Sequence, residues 1–590
     1  MKNFLRLVLF VAAFAMIATA CHSLNQEEKA GGVEQLFPEN WKFQAGEGND
    51  SLWASVNYND SAWSVVSSLK LLSDQHKATE QGFGWYRTRI VFTDSLRHAL
   101  QLAHALVLHL GPFAAADEVD VNGKLIGKTG DFPPDYKGYH DEARNYLIPM
   151  DYLNMKGENQ FAIKFHDGWG KGGFLGGTVA SLTSAGINDK ILLHLQVEDS
   201  DNVFLGASPL RIQVRLKNSN RSKIQGVLYV KLTTDTYEPL HTDSVTVALA
   251  GEDSCSGSFQ YRNPSPGFYR YQVYFCRNGK NVCEQKINVG YEPEKISSPN
   301  DAKADFKHFW QTTLSDLARV KPRYQMKVLP LYSKLDYTMY EVRMYSLGNE
   351  LIRGYYAQPK QKGKFPVIVE YMGYGSLPYR PTQTWDGFAH FVLSVRGQGL
   401  NLPENHYGTW ILSGLDSKEN YYYRGAFADV IRAVDFVCSR PEIDTTKIAV
   451  RGNSQGGALT FASAALDKRV KVAAPGIPFL SDYPDYFKIA PWPKSDFDQY
   501  MEEHPNRSWN SIYELLTYFD IKNLASWIRC PLFMGFGVQD NVCPPHINFA
   551  AYNQVKSEKR WMACPQCTHS VNQAYQQASD QFIRDKLSVR

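Results

Sequence analysis

The chain has 590 residues, too many for one hydrophobic core, so its length alone calls for roughly two to four domains. Hydrophobic residues make up 44% and charged residues 21%, an ordinary balance that excludes a disordered, collagenous or low-complexity chain. The formal charge is only +3, and Lys2 and Arg6 near the start supply two of the positive charges, which leaves no electrostatic case for nucleic acid.

The predicted elements begin with a targeting segment over residues 1–20. Lys2 and Arg6 precede an apolar run from Leu7 to Ile17 that is too short to span a bilayer, and Ala18-Thr19-Ala20 precedes Cys21. Small residues before a cysteine resemble a bacterial lipoprotein signal, which implies lipidation at Cys21. The chain is then expected to be exported and held in the envelope, on its periplasmic or cell-surface face, by lipid and not by a spanning helix. Residues 21–35 are polar and read as a tether.

From 36 to 190 short strands alternate with Gly, Asp and Asn turns, as in Leu106-Val107-Leu108-His109-Leu110 stopped by Gly111, and Phe161-Ala162-Ile163-Lys164-Phe165. That density of strands predicts an all-β sandwich. The runs Gly84-Trp85-Tyr86-Arg87, Ala116 to Lys124 and Arg144 to Pro149 resemble a galactose-binding-like jelly roll, a domain that is often architectural. Residues 191–291 continue with alternating strands such as Leu210 to Leu216 and Phe268 to Phe275, which predict an immunoglobulin-like spacer. Cys276 and Cys283 flank the hairpin signal Asn278-Gly279 and could face each other across it. The aromatic share of 13% fits β-rich domains and flat, sugar-like ligands as well as ordinary cores.

Pro293 to Asn300 is a polar, proline-marked boundary. Over 298–590 the texture changes. Phe306, Phe309, Trp310, Leu314 and Leu317 recur at helical spacing, and then apolar strands such as Pro366 to Val369, Phe391 to Leu393, Ile448 to Val450 and Leu532 to Met534 alternate with helical stretches. This is the pattern of a parallel sheet covered on both faces. The fold class expected for the whole chain is therefore multidomain, with two β-sandwich domains followed by an α/β-hydrolase domain.

The candidate chemistry lies in this last part. Ile448-Ala449-Val450 enters Gly452-Asn453-Ser454-Gln455-Gly456-Gly457, and a helical segment leaves it. Gly-x-Ser-x-Gly alone arises by accident roughly 0.2 times in a chain this long. A strand before it and a helix behind it supply what a nucleophile elbow needs: a tight turn, uncrowded flanks and a helix N-terminus beside the developing oxyanion. A serine needs a histidine to take its proton, and the histidine needs a carboxylate to fix its tautomer. In the chain order Ser, Asp, His, Asp540 follows the apolar strand ending at Gly537, and His569 follows the next strand-like stretch. His546 beside Pro544 and Pro545 is the rival base. Cys564-x-x-Cys567 has no second pair at matching spacing and reads as structural thiols.

At these residues the chain resembles the acetyl-xylan esterase and cephalosporin-C deacetylase group, carbohydrate esterase family 7. The likeness covers 298–590 and runs through Asp305-Phe306 with Phe309-Trp310, Glu370 to Gly375, Arg396-Gly397-Gln398-Gly399, Tyr421 to Arg424, Gly452 to Gly457, Pro478-Phe479-Leu480 and Asp540 with Cys543-Pro544-Pro545. It implies a catalytic Ser454, Asp540 and His569, with the backbone amides of Tyr374 and Gln455 as the oxyanion hole. It also implies an acyl-enzyme mechanism on an acetylated plant-type glycan with no metal or organic cofactor. Members assemble as homo-oligomers, which two extra amino-terminal domains could block. Two departures stand out. Ser394 replaces an aspartate two residues before Arg396, which is expected to loosen an ion pair there. Thr568-His569-Ser570 replaces Gly-His-Glu, which alters the setting of the base.

The insert from Ser481 to Trp527, with Tyr483, Tyr486, Phe487 and Trp492, is expected to cover the site and shape the acyl pocket. Two other functions share these features. One is a prolyl-oligopeptidase-type peptidase, although Gln455 stands where those carry tyrosine. The other is a non-catalytic glycan-binding lipoprotein.

Overall fold

A computed structural model of the chain describes residues 33–589 apart from 78–81, 115, 134–137, 139–142, 168–172, 178, 207 and 382–385. The targeting segment and Cys21 lie outside the described residues. Glu34–Leu36 already pairs antiparallel with Ser181–Ser184, so the chain enters a sheet inside the stretch read as a tether. Three residues are too few to show an alternation, which is why the sequence gives no sign of this strand.

The amino-terminal part consists of two sheets facing each other. One runs Ser64–Ser67, Asn40–Ala45, Phe83–Val91, Glu158–His166, Ala116–Val121, Lys124–Thr129. The other is built around Ala105–Ala114, paired with Ser181–Ser184, Gly173–Phe174 and Ala143–Pro149. Trp41, Phe43, Tyr86, Phe161 and Ile163 from the first sheet and Leu106, Leu108, Ile148 and Leu182 from the second close one common core.

The next part repeats the arrangement with a three-stranded and a five-stranded sheet. Strict alternation explains its strands: in Leu210–Asn218, Leu210, Ile212, Val214 and Leu216 are buried while Arg211, Arg215 and Lys217 are exposed. Asn278 and Gly279 make the hairpin turn with φ of 51° and 76°. A bulge after Phe275 sets Cys283 opposite Phe275 and Cys276 opposite Asn281, so the two thiols are out of register and no disulfide joins them.

The carboxy-terminal part is a nine-stranded sheet flanked by helices. Its strands are β1 (Gln325–Val328), β2 (Tyr337–Ser346), β3 (Glu350–Pro359), β4 (Phe365–Tyr371), β5 (Ala389–Ser394), β6 (Ile443–Asn453), β7 (Val472–Gly476), β8 (Leu532–Gly537) and β9 (Lys559–Cys564). Their spatial order is β1-β2-β3-β5-β4-β6-β7-β8-β9. The first four are antiparallel neighbours, and from β5 onward every pairing is parallel. Helices α1 (Phe306–Arg319), α2 (Tyr422–Cys438), α3 (Gln455–Leu466), α4 (Tyr483–Ile489), α5 (Lys494–Glu503), α6 (Trp509–Leu516), α7 (Ile521–Ala525), α8 (Pro545–Tyr552) and α9 (Gln573–Leu587) complete it. In α1 the buried residues Phe306, Phe309, Trp310, Thr313 and Leu317 form the apolar stripe that the sequence spacing predicts. No helix among the described residues is long and apolar enough to cross a membrane.

The middle part does not stop at its own core. Val203 and Phe268 belong to the hydrophobic cluster of the nine-stranded part, with the Phe268 ring 6.2 Å from that of Phe536 and 6.0 Å from that of Phe549. Burying one such phenylalanine contributes about 1.5–3 kcal/mol.

Candidate active site

Parallel strands put their carboxyl ends on one edge of the sheet, and three loops meet there. β6 turns sharply into α3 through Ser454, whose φ of 58° and ψ of −120° are unfavourable for any residue with a Cβ. Such strain costs about 1–3 kcal/mol and persists only where surroundings enforce it. Here the Ser454 N–H donates to Gly476 O at 3.0 Å, and Ser454 O accepts from Ala458 N at 3.1 Å. The glycines of the elbow answer crowding. A Cβ on Gly456 would lie 2.1 Å from Tyr371 O, and one on Gly452 would lie 2.5 Å from the same atom.

β8 ends at Gly537 and delivers Asp540. Its Oδ1 accepts from the N–H groups of Val542 and Cys543, both at 2.8 Å. The loop after β9 brings His569 across the end of β8. A Cβ on Gly537 would lie 2.3 Å from Thr568 O, so that approach requires glycine. The structure therefore brings three of the sequence candidates together. His569 Nδ1 lies 2.9 Å from Asp540 Oδ2 and 3.2 Å from Oδ1, and His569 Nε2 lies 2.9 Å from Ser454 Oγ. With the ring proton on Nδ1 facing the carboxylate, Nε2 is left to accept from the serine hydroxyl.

Electrostatics follow from burial. The His569 side chain is 10% exposed and that of Asp540 is 0% exposed. Burial alone would push the imidazole pKa down, but the adjacent Asp540 carboxylate overcomes this and holds it well above the usual histidine value. Cys543 Sγ lies 3.9 Å from Ser454 Oγ, and burial pushes that thiol up, so it stays neutral beside the site.

Tyr374 follows β4 and Gln455 opens α3, the two loops from which the donors of an oxyanion hole are expected. A buried amide pair ties these loops together. Gln398 Oε1 accepts from Gly375 N and from Gln455 Nε2, both at 3.1 Å, and Gln398 Nε2 donates to Gln455 Oε1 at 3.1 Å. Tyr423 donates to Gln455 Oε1 at 3.0 Å, and Gln398 Nε2 also donates to Tyr422 Oη at 2.9 Å. The sequence offers Arg396 to Gly399 and Tyr421 to Arg424 as motifs but assigns Gln398, Tyr422 and Tyr423 no task. Their role is visible only once the two segments meet.

The expected loosening at Arg396 does not occur. Asp429 on α2 supplies the carboxylate, bonding Arg396 Nη2 at 2.7 Å and both Nε and the backbone N–H at 3.0 Å. Ser394 instead accepts from Leu400 N at 3.1 Å, and a Cβ on Gly399 would lie 2.6 Å from its hydroxyl. Both charges of the pair are buried. Asp429→Ala is expected to cost about 3–5 kcal/mol, read as a lower denaturant midpoint, because it strands a buried guanidinium.

The insert reaches the site through aromatic rings. Trp492 stacks on Phe479 with centroids 5.4 Å apart and meets Tyr374 at 5.5 Å. Tyr486 donates to Val542 O at 2.6 Å, which ties α4 to the acid loop. Tyr483, Tyr486 and Phe487 are buried in the core. The rival base His546 faces elsewhere, with Nδ1 2.8 Å from Asp235 Oδ2. Among the described residues one group of side chains could chelate a metal, Asp482, Asp485 and His546. Asp482 is already taken by Lys522 at 3.1 Å and Ser298 at 2.7 Å, so protein groups satisfy that cluster. Cys564 is not in it; its thiol donates to Asn572 Oδ1 at 3.4 Å in the base loop.

The model of the family described as acetyl xylan esterase (AXE1) matches residues 291–586. "Acetyl esterase Axe7A" of Xylanibacter ruminicola is 26% identical over 297 residues, which are 48% of this chain and 67% of that protein. Two solved structures are similar over 50% of this chain and 98% of theirs. Acetyl xylan esterase 1 from a Thermoanaerobacterium species is 27% identical with a TM-score of 0.45, and an acetyl xylan esterase from a Paenibacillus species is 31% identical with a TM-score of 0.46. With half its length matched by the family's model, the chain belongs to the acetyl xylan esterase family.

Proposed function

We propose that the chain is a serine carbohydrate acetylesterase that removes O-acetyl groups from an acetylated, xylan-like glycan. The observation that carries this reading is the imidazole of His569 bonded on one side to Ser454 Oγ and on the other to Asp540. Ser454 Oγ attacks the acetyl carbonyl as His569 Nε2 takes its proton, and the charge on the carbonyl oxygen falls to the N–H groups of Tyr374 and Gln455. The imidazolium, stabilised by Asp540, then protonates the departing sugar oxygen. Water activated by the same histidine attacks the acetyl-serine, acetate leaves, and Ser454 regains its proton. Every proton moves through His569 Nε2.

Acetate release from acetylated xylan and from a chromogenic acetate ester, set against cleavage of proline peptides, tests the proposal. Peptide cleavage without acetate release would overturn it. Trp492, stacked on Phe479 and packed against Tyr374, is expected to line the acyl pocket. Trp492→Ala is expected to raise butyrate over acetate turnover by about tenfold, the lower end of what one methylene is worth in an apolar pocket. An unchanged preference would remove Trp492 from the pocket.

The amino-terminal parts fit a galactose-binding-like jelly roll over 36–190 and an immunoglobulin-like spacer over 191–291. Two facing sheets about one core, antiparallel apart from the short strand Val203–Phe204, support each reading. Lipid attachment at Cys21 would hold the enzyme at the envelope, where an acetylated glycan is encountered.

A further inference from the structure

Two loops of the nine-stranded part, those that carry Asp540 and His569, are fastened from outside it. Gln539, the residue before Asp540, reads the backbone of the spacer strand Lys280–Tyr291: its Oε1 accepts from Asn288 N at 2.8 Å, and its Nε2 donates to Asn288 O at 3.1 Å. The same Nε2 donates to Pro565 O at 2.9 Å, and the Gln539 backbone N–H donates to Cys567 O at 3.0 Å. One side chain thus joins the acid loop, the base loop and the spacer. From the spacer side, Asn202 Nδ2 also donates to Pro565 O at 3.1 Å, and Asn288 Nδ2 donates to Val538 O at 3.4 Å. At the next point along the base loop, Thr568 Oγ1 donates to Gly138 O of the amino-terminal part at 2.9 Å. Thr568 is the neighbour of His569, at the position where the chain departs from the Gly-His-Glu pattern.

We infer that Gln539 and Thr568 are positioning residues through which the two amino-terminal parts hold Asp540 and His569 in line with Ser454. The inference rests on the triad reading above. The Asp540–His569 contact joins two loops of different strands, and either loop can drift unless something spans them. A displacement near 1 Å at such a contact costs on the order of 10²-fold in rate, whereas substrate binding elsewhere is untouched. The accessory parts would then act on turnover even for a substrate too small to reach them.

The test uses the full chain and a small chromogenic acetate ester, with kcat expressed per folded molecule by circular dichroism. Gln539→Met keeps the side-chain length without hydrogen bonds, and Thr568→Val keeps the shape without the hydroxyl. Each is expected to lower kcat, about tenfold for Gln539→Met and threefold for Thr568→Val, with KM changed by less than about twofold. Thr568→Ser should restore kcat. Wild-type kcat in both variants would overturn the inference, and so would a change confined to KM or a loss fully explained by the unfolded fraction. Ser454→Ala in parallel separates the two readings: if it keeps activity the triad reading fails, whereas if it is inactive and Gln539→Met is normal only the positioning role fails.

Discussion

Ser454→Ala is expected to reduce acetate release by about 10⁴-fold or more while leaving the fold intact. Alanine at 454 carries the same Cβ into the same φ of 58°, so it adds no backbone strain, and the 2.9 Å bond lost to His569 is a single hydrogen bond. The unfolding midpoint should therefore move little. The measurement is acetate released per folded enzyme, by a coupled assay on acetylated xylan and by a chromogenic ester. Retained turnover on both would rule out Ser454 as the nucleophile.

The second large effect belongs to Asp540. Replacing it by Asn keeps the volume but offers an amide where the carboxylate accepts from Nδ1, from Val542 N and from Cys543 N. The imidazole then loses both its tautomer lock and the charge that stabilises its protonated form, and kcat is expected to fall about 10³–10⁴-fold. A pH profile gives an independent check. His569 acts as a base only when neutral, so kcat/KM rises with pH through its pKa, and Asp540 holds that pKa above the ordinary histidine value. In the native enzyme the rising limb should sit above about pH 6.5. In Asp540→Asn it should move towards acid, because burial is left to act without the opposing carboxylate. The linked stability has the matching sign: the raised pKa contributes stability that is fully present below the unfolded histidine value and fades as pH rises through the folded one. A limb that stays in place in the variant would show that another group governs the profile.

Much of the nine-stranded part could be read from the chain. Apolar runs such as Ile448-Ala449-Val450 are buried on both faces and carry no polar alternation, and the stripe in α1 has helical spacing, so local pattern and tertiary placement agree. The order of Ser454, Asp540 and His569 along the chain was legible for the same reason: each sits just beyond a parallel strand. What could not be read are pairings between distant segments. Asp429 partners Arg396 from the middle of a helix, where any acidic residue looks like surface decoration, and the missing aspartate at 394 pointed to a loosened pair. His546 is held by Asp235 from another part of the chain, and Gln539 binds main chain, which has no sequence signature. Cys276 and Cys283 show a third limit, since a one-residue bulge changes which side chains oppose and leaves no trace in spacing.

Phe268 carries a consequence for the chain as an assembly of modules. It is anchored in a strand of the spacer, yet its ring lies among Phe536 and Phe549 in the hydrophobic cluster of the nine-stranded part. The polar segment Pro293 to Asn300 marks a seam in composition, but the seam does not separate two independent melting units. Cutting there would strip an aromatic face from the catalytic half and leave it open to water. Spacer and catalytic half are thus expected to lose structure in one cooperative transition, and the stretch that looks most like a linker is the least suitable place to divide the protein.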